Sequence, residues 1–504
     1  MLFPTYEFLC FFLVIFSIAI FLKAKVKAYK YFLLFASILF YALWNVNLLT
    51  LLCTNILINY LILQDVVKSK YRKTYLIAGL VINVAYLCFF KYYSFFVDSL
   101  FELLDTLKLQ FSFPVLEIIV PLGVSFYIFR IISHLIDCYQ NKLEIPSLLD
   151  YTVYVTYFPQ VTSGPISRAK EFYIQLNSEQ KYDYKIENVI ILIISGLFKK
   201  YTLSSFLFQF TQLPFNLPEQ YSSFDLILAA LAYSCLIYVD FSGYSDLANA
   251  ISMLLGFKPI QNFNMPYSAA NLQDFWRRWH ISLSEWLRDY LYVPLGGNKN
   301  GKLRKYLNLL LTMMIGGFWH GAGLNFIIWG ILHGIGLIVF NVWKDVSKQI
   351  ESLTTKAEKR KYNTSGITII KRKDTLSKQI FKHLSFCLKF YIPLFLSRTI
   401  TFTFITICWI FFNTSNYRNA IKFLQTMFNF DTGVTLSKFN LWQLYFVFII
   451  VFCMNFYGEK ISNSFAKIMG KQHTFIKALF TTGLLYAVFR LGPNTVAPFI
   501  YFNF

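Results

Sequence analysis

Twelve apolar runs recur along the 504 residues, at 8–22, 31–44, 48–63, 76–91, 115–133, 189–208, 224–239, 306–320, 324–343, 386–412, 441–457 and 474–490. Runs of this length and frequency leave two destinations, a very large buried interior or a bilayer. Composition decides between them. Only 14% of the residues are charged and 56% are hydrophobic, whereas soluble domains carry about 25% charged residues. Too little polar surface exists to wrap a water-facing globule. The 56 Phe and 34 Tyr exclude a disordered chain as well, because so much apolar surface cannot stay solvated. Inside a bilayer each segment must satisfy its own backbone polar groups, which selects helices. The expected fold class is an all-α polytopic membrane protein.

The balance of 47 Lys+Arg against 26 Asp+Glu gives a formal charge of +21. In a water-soluble chain this excess would suggest nucleic acid. In a membrane protein it belongs to cytoplasmic loops, so membrane lipids and no nucleic acid are the expected partners. Lys23, Lys25, Lys27 and Lys30 follow the first run, and Lys68, Lys70, Arg72 and Lys73 follow the third. Residues 344–383 hold eleven Lys or Arg against four Asp or Glu. Placing all three groups inside and counting twelve crossings leaves both termini outside. Glu7 precedes the first run and no basic stretch does, so that run reads as an uncleaved span and not a removed signal peptide.

No internal repeat of the kind found in secondary transporters is visible. The chain reads as one integral-membrane unit, 1–504, with a main helical part at 1–343. A basic cytoplasmic loop at 344–383 and a C-terminal helical bundle with an aromatic tail at 384–504 complete it. The eight cysteines are scattered, most of them inside apolar runs, and form no C-x-x-C pair. They read as small buried hydrophobes.

Residues 257–305 resist the span pattern, being too polar to cross a bilayer yet rich in aromatics. Residues 271–291 are predicted as one helix with Phe275, Trp279, Leu283, Trp286, Leu287 and Tyr290 on a broad face. Asp274 and Arg278 form an i,i+4 pair on it. Such a helix would lie in the interface or dip into the protein.

Several familiar motifs fail. The stretch Gly296–Lys302 nearly spells a phosphate-binding loop, but Leu303 stands where a Ser or Thr is required and no strand precedes it. Gly243-Tyr244-Ser245-Asp246-Leu247 lacks the second glycine of a nucleophile elbow. No H-E-x-x-H zinc motif occurs. Two histidines stand out. His320 ends an apolar run in Gly316-Gly317-Phe318-Trp319-His320-Gly321, where an ionisable group is either a functional candidate or a histidine satisfied between neighbouring helices. His280 lies in Trp276-Arg277-Arg278-Trp279-His280 within the polar region. A neutral imidazole can take a proton from a hydroxyl near neutral pH. Arg277 and Arg278 read either as interfacial anchors or as an anion site for a phosphate-bearing cosubstrate. Asp240 and Asp246, six residues apart, fall on different sides of a helix, which favours lining a polar cavity or bonding neighbouring helices over a paired-carboxylate device. Phe158–Arg168, with two prolines and a glycine, reads as a structured turn.

Taken together, residues 271–297 and Gly317–Gly321 resemble the membrane-bound O-acyltransferase (MBOAT) family. The closer likeness is to its bacterial branch for alginate and peptidoglycan O-acetylation, with the teichoic-acid D-alanylation protein as a cousin. Phe158–Arg168, Asp240–Asp246, Trp276–His280 and Leu332-His333-Gly334 are similar to that branch in type and order. The resemblance implies a ring of about 11–13 transmembrane helices around a thinned central tunnel, with re-entrant or interfacial helices. It implies His320 as the catalytic histidine and His280 as the second active-site position. Trp276, Arg277, Arg278, Trp279, Asp240, Asp246 and His333 would bind the donor or line the tunnel. Acetyl-CoA would be the acyl donor, with no permanently bound cofactor and no metal. The acetyl group would be exported across a bacterial inner membrane for a separate extracytoplasmic SGNH-type transferase or esterase, most often onto peptidoglycan, with alginate or another exopolysaccharide as the alternative. The C-terminal Pro498–Phe504 resembles an aromatic tail proposed to carry the acyl group, which makes Tyr501 the carrier candidate; the alternative reading is an interfacial anchor. Two rival functions stay open on the residues alone, a transporter or flippase without covalent chemistry and an enzyme that acylates a lipid or protein directly.

Overall fold

The computed structural model describes residues 3, 5–109, 116, 118–364, 376–430, 441–493 and 497–500, and for the helical residues 350–351, 353–364 and 376–391 their backbone alone. The described residues are overwhelmingly helical. The first five long helices are α1 (Tyr6–Leu22), α2 (Val26–Ala42), α3 (Val46–Lys68), α4 (Arg72–Thr106) and α5 (Val124–Tyr139). After a set of short helices come α6 (Ile186–Gln209) and α7 (Ser223–Leu254). The short α8 (Leu272–Arg278) and α9 (Ile281–Leu287) lead into α10 (Gly301–His320), α11 (Leu324–Thr364), α12 (Leu376–Asn413), α13 (Leu441–Gly470) and α14 (Thr474–Leu491). Helix starts carry the expected caps. Thr5, Asn45 and Ser222 accept backbone N–H groups of Phe8, Leu48 and Asp225, satisfying donors the helix cannot.

Every apolar run except 115–133 coincides with a helix, and eight helical segments, α3, α4, α6, α7, α11, α12, α13 and α14, are long and apolar enough to cross a membrane. Three others are short. α1 and α2 have 17 residues and α5 has 16, so they span about 24–26 Å, less than the roughly 30 Å hydrocarbon core. α5 is buried along almost its whole length and is shielded by its neighbours. The basic ends of the first helices gather at one end of the bundle. There Lys23 donates to Leu254 O at 2.5 Å and Tyr29 to Leu255 O at 2.6 Å, while Arg72 reaches the carbonyl of Tyr139 at 2.9 Å.

α7 is the central post. Its C-terminal half packs into one apolar cluster with α1, α2 and α5, and its N-terminal half into a second with α12, α13 and the aromatic side chains of α8 and α11. The site lies where the two clusters meet.

Three expectations are corrected. The helix predicted over 271–291 is two helices separated at Trp279-His280, followed by a π-helical turn at Arg288–Tyr292. His280 takes φ +41°, which costs a non-glycine residue about 1–2 kcal/mol. An extended neighbour offsets the broken ladder: Asn264 N donates to Arg278 O and Ile281 N to Asn262 O, both at 2.9 Å. The run at 115–133 becomes helical only at Val124, after Gly123 turns the chain with φ +71°. Finally, the stretch assigned to a loop at 344–383 continues as helix through Thr364, since its charged residues are good helix formers.

Candidate active site

His320 is the last residue of α10, and Gly321 leaves the helix with an extended backbone (φ −161°). Two side chains of α4 hold that terminus. Lys91 Nζ donates to the carbonyls of Trp319 (2.6 Å) and His320 (2.8 Å), and Tyr92 Oη to that of Phe318 (2.6 Å). These are carbonyls that a helix end leaves without intrahelical partners. α10 and α11 touch backbone to backbone: a Cβ on Gly317 would lie 2.3 Å from Phe326 O, and one on Gly330 would lie 2.3 Å from Met313 O. That close approach sets the His320 ring against Trp329 of α11, at 5.1 Å between centroids, and against Phe412 of α12, also at 5.1 Å. His320 is 4% exposed and forms part of the wall of a cavity of about 340 Å³, together with Trp44, Lys91, Gly123, Thr162, Ser163 and Trp319.

His280 is fully buried in the strained turn between α8 and α9. Its Nδ1 lies 3.1 Å from Asn262 Oδ1. That atom also accepts the backbone N–H of Ser282 at 3.3 Å and the Ser282 hydroxyl at 2.9 Å, while Asn262 Nδ2 donates to Ser245 Oγ. A group that accepts a backbone N–H is the amide oxygen, so His280 Nδ1 carries the proton. Burial pushes this imidazole down to about 3, so the ring is neutral and its Nε2 bears a lone pair. His333, one turn beyond Trp329, has the opposite tautomer. The Trp276 indole N–H donates to His333 Nδ1 at 3.3 Å, and an indole nitrogen can only donate. The neutral His333 ring therefore carries its proton on Nε2. Trp279 stands between the layers, 5.5 Å from Phe275 and 5.0 Å from Trp409.

Asp240 and Asp246 do point to different partners, and both partners are cations that sequence reasoning did not single out. Lys199 pairs with Asp246, and Lys200 with Asp240. The two lysines are adjacent in a π-helical stretch, Phe198–Leu203, whose wider turn separates consecutive side chains differently from an α-helix. α6 and α7 approach closely there because Gly243 has no Cβ; one would lie 2.9 Å from Gly196 O. The Lys200–Asp240 pair is 1% exposed on each residue and holds the C-terminal segment. Lys200 donates to Ala497 O at 3.1 Å, Ser205 Oγ accepts from Ala497 N at 3.0 Å, and Asp240 Oδ2 accepts from Ile500 N at 3.0 Å. Phe499 stacks on Tyr244 at 4.7 Å and touches Phe241, whose ring meets His280 at 4.7 Å. Tyr501 lies outside the described residues.

The arginines divide. Arg278 is engaged with Asp274 at 2.9 Å, the anticipated i,i+4 pair, and reaches Asn264 O; Arg277 is exposed. The Phe158–Arg168 segment connects the site to the basic end: Thr162 bonds Tyr244, Ile166 N donates to Ser282 Oγ at 3.1 Å, and Arg168 pairs with Asp289 at 2.9 Å. Buried Arg130 donates to Tyr154 O and Gln160 Oε1. Lys91, Arg130, Lys199 and Lys200 share one legible signal, an ionisable residue within or ending an apolar run. Asn262 and Trp329 carry none. Among the described residues no cluster of three or more His, Cys, Asp or Glu could hold a metal ion.

A helical bundle with eight segments long and apolar enough to cross a membrane, and with a buried histidine on an interior cavity wall, defines an integral membrane protein with a candidate site inside the bundle. The family model of "MBOAT, membrane-bound O-acyltransferase family" matches residues 9–370, and the chain belongs to that family of O-acyltransferases. It is 34% identical over 442 residues to a peptidoglycan O-acetyltransferase of Helicobacter pylori, covering 82% of this chain and 76% of the relative. Over 445 residues it is 34% identical to the probable alginate O-acetylase AlgI of Pseudomonas aeruginosa, covering 87% and 77%. A teichoic acid D-alanyltransferase of Streptococcus thermophilus is 31% identical over 258 residues, covering 47% and 60%.

Proposed function

We propose that the chain takes acetyl from acetyl-CoA at the basic, cytoplasmic end of the bundle and delivers it to an acceptor reached from the other side, for O-acetylation of an extracytoplasmic polysaccharide. Peptidoglycan is the first candidate and alginate or another exopolysaccharide the second. The membrane is the bacterial inner membrane, with both termini outside. The carrying observation is His320 on the wall of the 340 Å³ cavity, backed by relatives named for O-acetyl transfer to two such polymers. At the basic end a second, smaller cavity is bordered by Gln160, Arg168, Gln175 and Lys258, whose cations and amides suit a phosphate-bearing donor.

In the transfer, His320 or His280 Nε2 accepts the proton of a hydroxyl whose oxygen attacks the thioester carbonyl. Collapse of the adduct breaks the C–S bond, and the thiolate recovers the proton. Tyr501, one residue beyond the buried Ile500 anchor, is the proposed first acceptor, holding acetyl as an aryl ester for an exported SGNH-type partner enzyme. No permanently bound cofactor is required for this chemistry. The test is a chromosomal deletion re-supplied with wild type, His320→Ala or Tyr501→Phe, followed by assay of base-labile acetate on purified peptidoglycan and exopolysaccharide. Loss with His320→Ala, at equal membrane abundance, supports the enzyme; unchanged acetate overturns it. Retention of labelled acetyl on the wild-type chain, and none on Tyr501→Phe, supports the relay; equal retention removes it.

A further inference from the structure

Buried hydrogen-bond donors around His320 have no acceptor among the described residues; besides the Trp319 indole N–H, two stand on successive turns of α11. These two are the Trp329 indole N–H and His333 Nε2, on residues 1% and 0% exposed. A buried donor left unmade costs about 1–3 kcal/mol, so two on successive turns of one helix are a feature to explain. The His333 nitrogen is a donor because Trp276 occupies the other ring position. The two rings lie 4.6 Å apart between centroids, and the Trp329 ring is 5.1 Å from that of His320. Their surroundings are aromatic, with Phe404, Trp409 and Phe412 against them. Neutral donors in apolar surroundings recruit a permanent anion poorly, since its desolvation is too costly. They suit an oxygen that is nearly neutral on arrival and becomes charged only during the reaction, the situation in which fixed donors accelerate a step most.

We infer that Trp329 and His333 form the oxyanion site for the acyl donor's carbonyl oxygen, with Trp276 as the positioning residue that fixes the His333 tautomer. The inference rests on the acyl-transfer reading. As the acceptor oxygen bonds to the carbonyl carbon, the C=O π pair moves onto oxygen and is met by the two N–H groups. The pair returns as the C–S bond breaks and the electrons leave on sulfur.

The experiment uses membrane vesicles of the native host lacking its own copy and re-supplied with each full-length variant, so that the natural acceptors are present. Transfer of label from acetyl-CoA is measured as maximal rate per chain and as KM for the donor. Trp329→Phe keeps a ring and removes the N–H. It is expected to lower the maximal rate roughly 10²-fold with donor KM unchanged. His333→Gln, whose amide offers an N–H near the Nε2 position, is expected to retain part of the rate that His333→Leu loses. A full maximal rate in Trp329→Phe, or a loss confined to KM, overturns the inference while wild-type transfer stands. Equal rates in wild type and His320→Ala overturn the acyl-transfer reading and this inference with it.

Discussion

Lys91 Nζ sits 2.6 Å from the carbonyl oxygen of Trp319 and 2.8 Å from that of His320, so a side chain of α4 caps the helix that presents His320. Lys91 also borders the same cavity as His320, which joins helix termination and access to the site in one residue. Lys91→Met should leave both carbonyls without a donor, costing about 1–3 kcal/mol and releasing the last turn of α10. The expected outcome is at least a tenfold loss of acetyl transfer with the protein still in the membrane. Lys91→Arg should recover part of it. Full activity in Lys91→Met would show that the cap is dispensable.

The buried Lys200–Asp240 pair governs the tail. Asp240→Ala leaves the Lys200 ammonium without its carboxylate and frees Ile500 N–H, a change worth about 3–5 kcal/mol when a buried pair loses one member. Carboxypeptidase digestion of the purified protein should proceed past Ile500 in Asp240→Ala and stop short of it in wild type. The double variant Lys200→Met/Asp240→Leu should regain thermal stability, because no charge is stranded, yet leave the tail open to digestion. Equal protection in all three would separate the pair from the tail.

How much of this was legible beforehand depends on which forces set each element. The apolar runs mark helices because bilayer burial acts on composition within one segment. His280, His320 and Asp240 were visible as polar groups inside or beside those runs. The break at Trp279-His280 was not, because bonds from Asn262 and Asn264 stabilise it, and those residues reach it only through tertiary structure. The opposite tautomers of His280 and His333 depend likewise on Asn262 and Trp276. The pairing of Lys199 and Lys200 with two aspartates required the π-helical turn, for which local sequence carries no periodic signal.

Gly330 and Gly458 offer a matched test of the helix contact behind the site. A Cβ at Gly330 would lie 2.3 Å from Met313 O, whereas one at Gly458 meets nothing within 4 Å. Gly330→Ala should push α11 away from α10, separate Trp329 from His320, and lower acetyl transfer more than tenfold, with a stability loss of about 1–3 kcal/mol. Gly458→Ala should be neutral or stabilising by up to about 1 kcal/mol, since alanine is the better helix former. Polymer acetate and thermal unfolding in detergent measure both, and equal effects at the two positions would refute the close-contact argument.

Acid should act on the fold through His280. Burial holds its imidazole at about 3 in the folded chain, against about 6.5 when unfolded. Between those values the unfolded state binds a proton that the folded state refuses, so stability rises with pH across this window. The contribution is complete above about pH 6.5 and falls away as pH drops towards 3. From pH 6.5 to 5 the loss from this one group is on the order of 2 kcal/mol. His280→Gln can keep a side-chain amide near Asn262 and carries no titrating group. Its unfolding temperature should therefore fall less than wild type's over the same range, although its stability near pH 7.5 is equal or lower. Parallel pH profiles for the two proteins would show that His280 is solvated in the folded state, and with it that the strained turn is not the closed environment its hydrogen bonds describe.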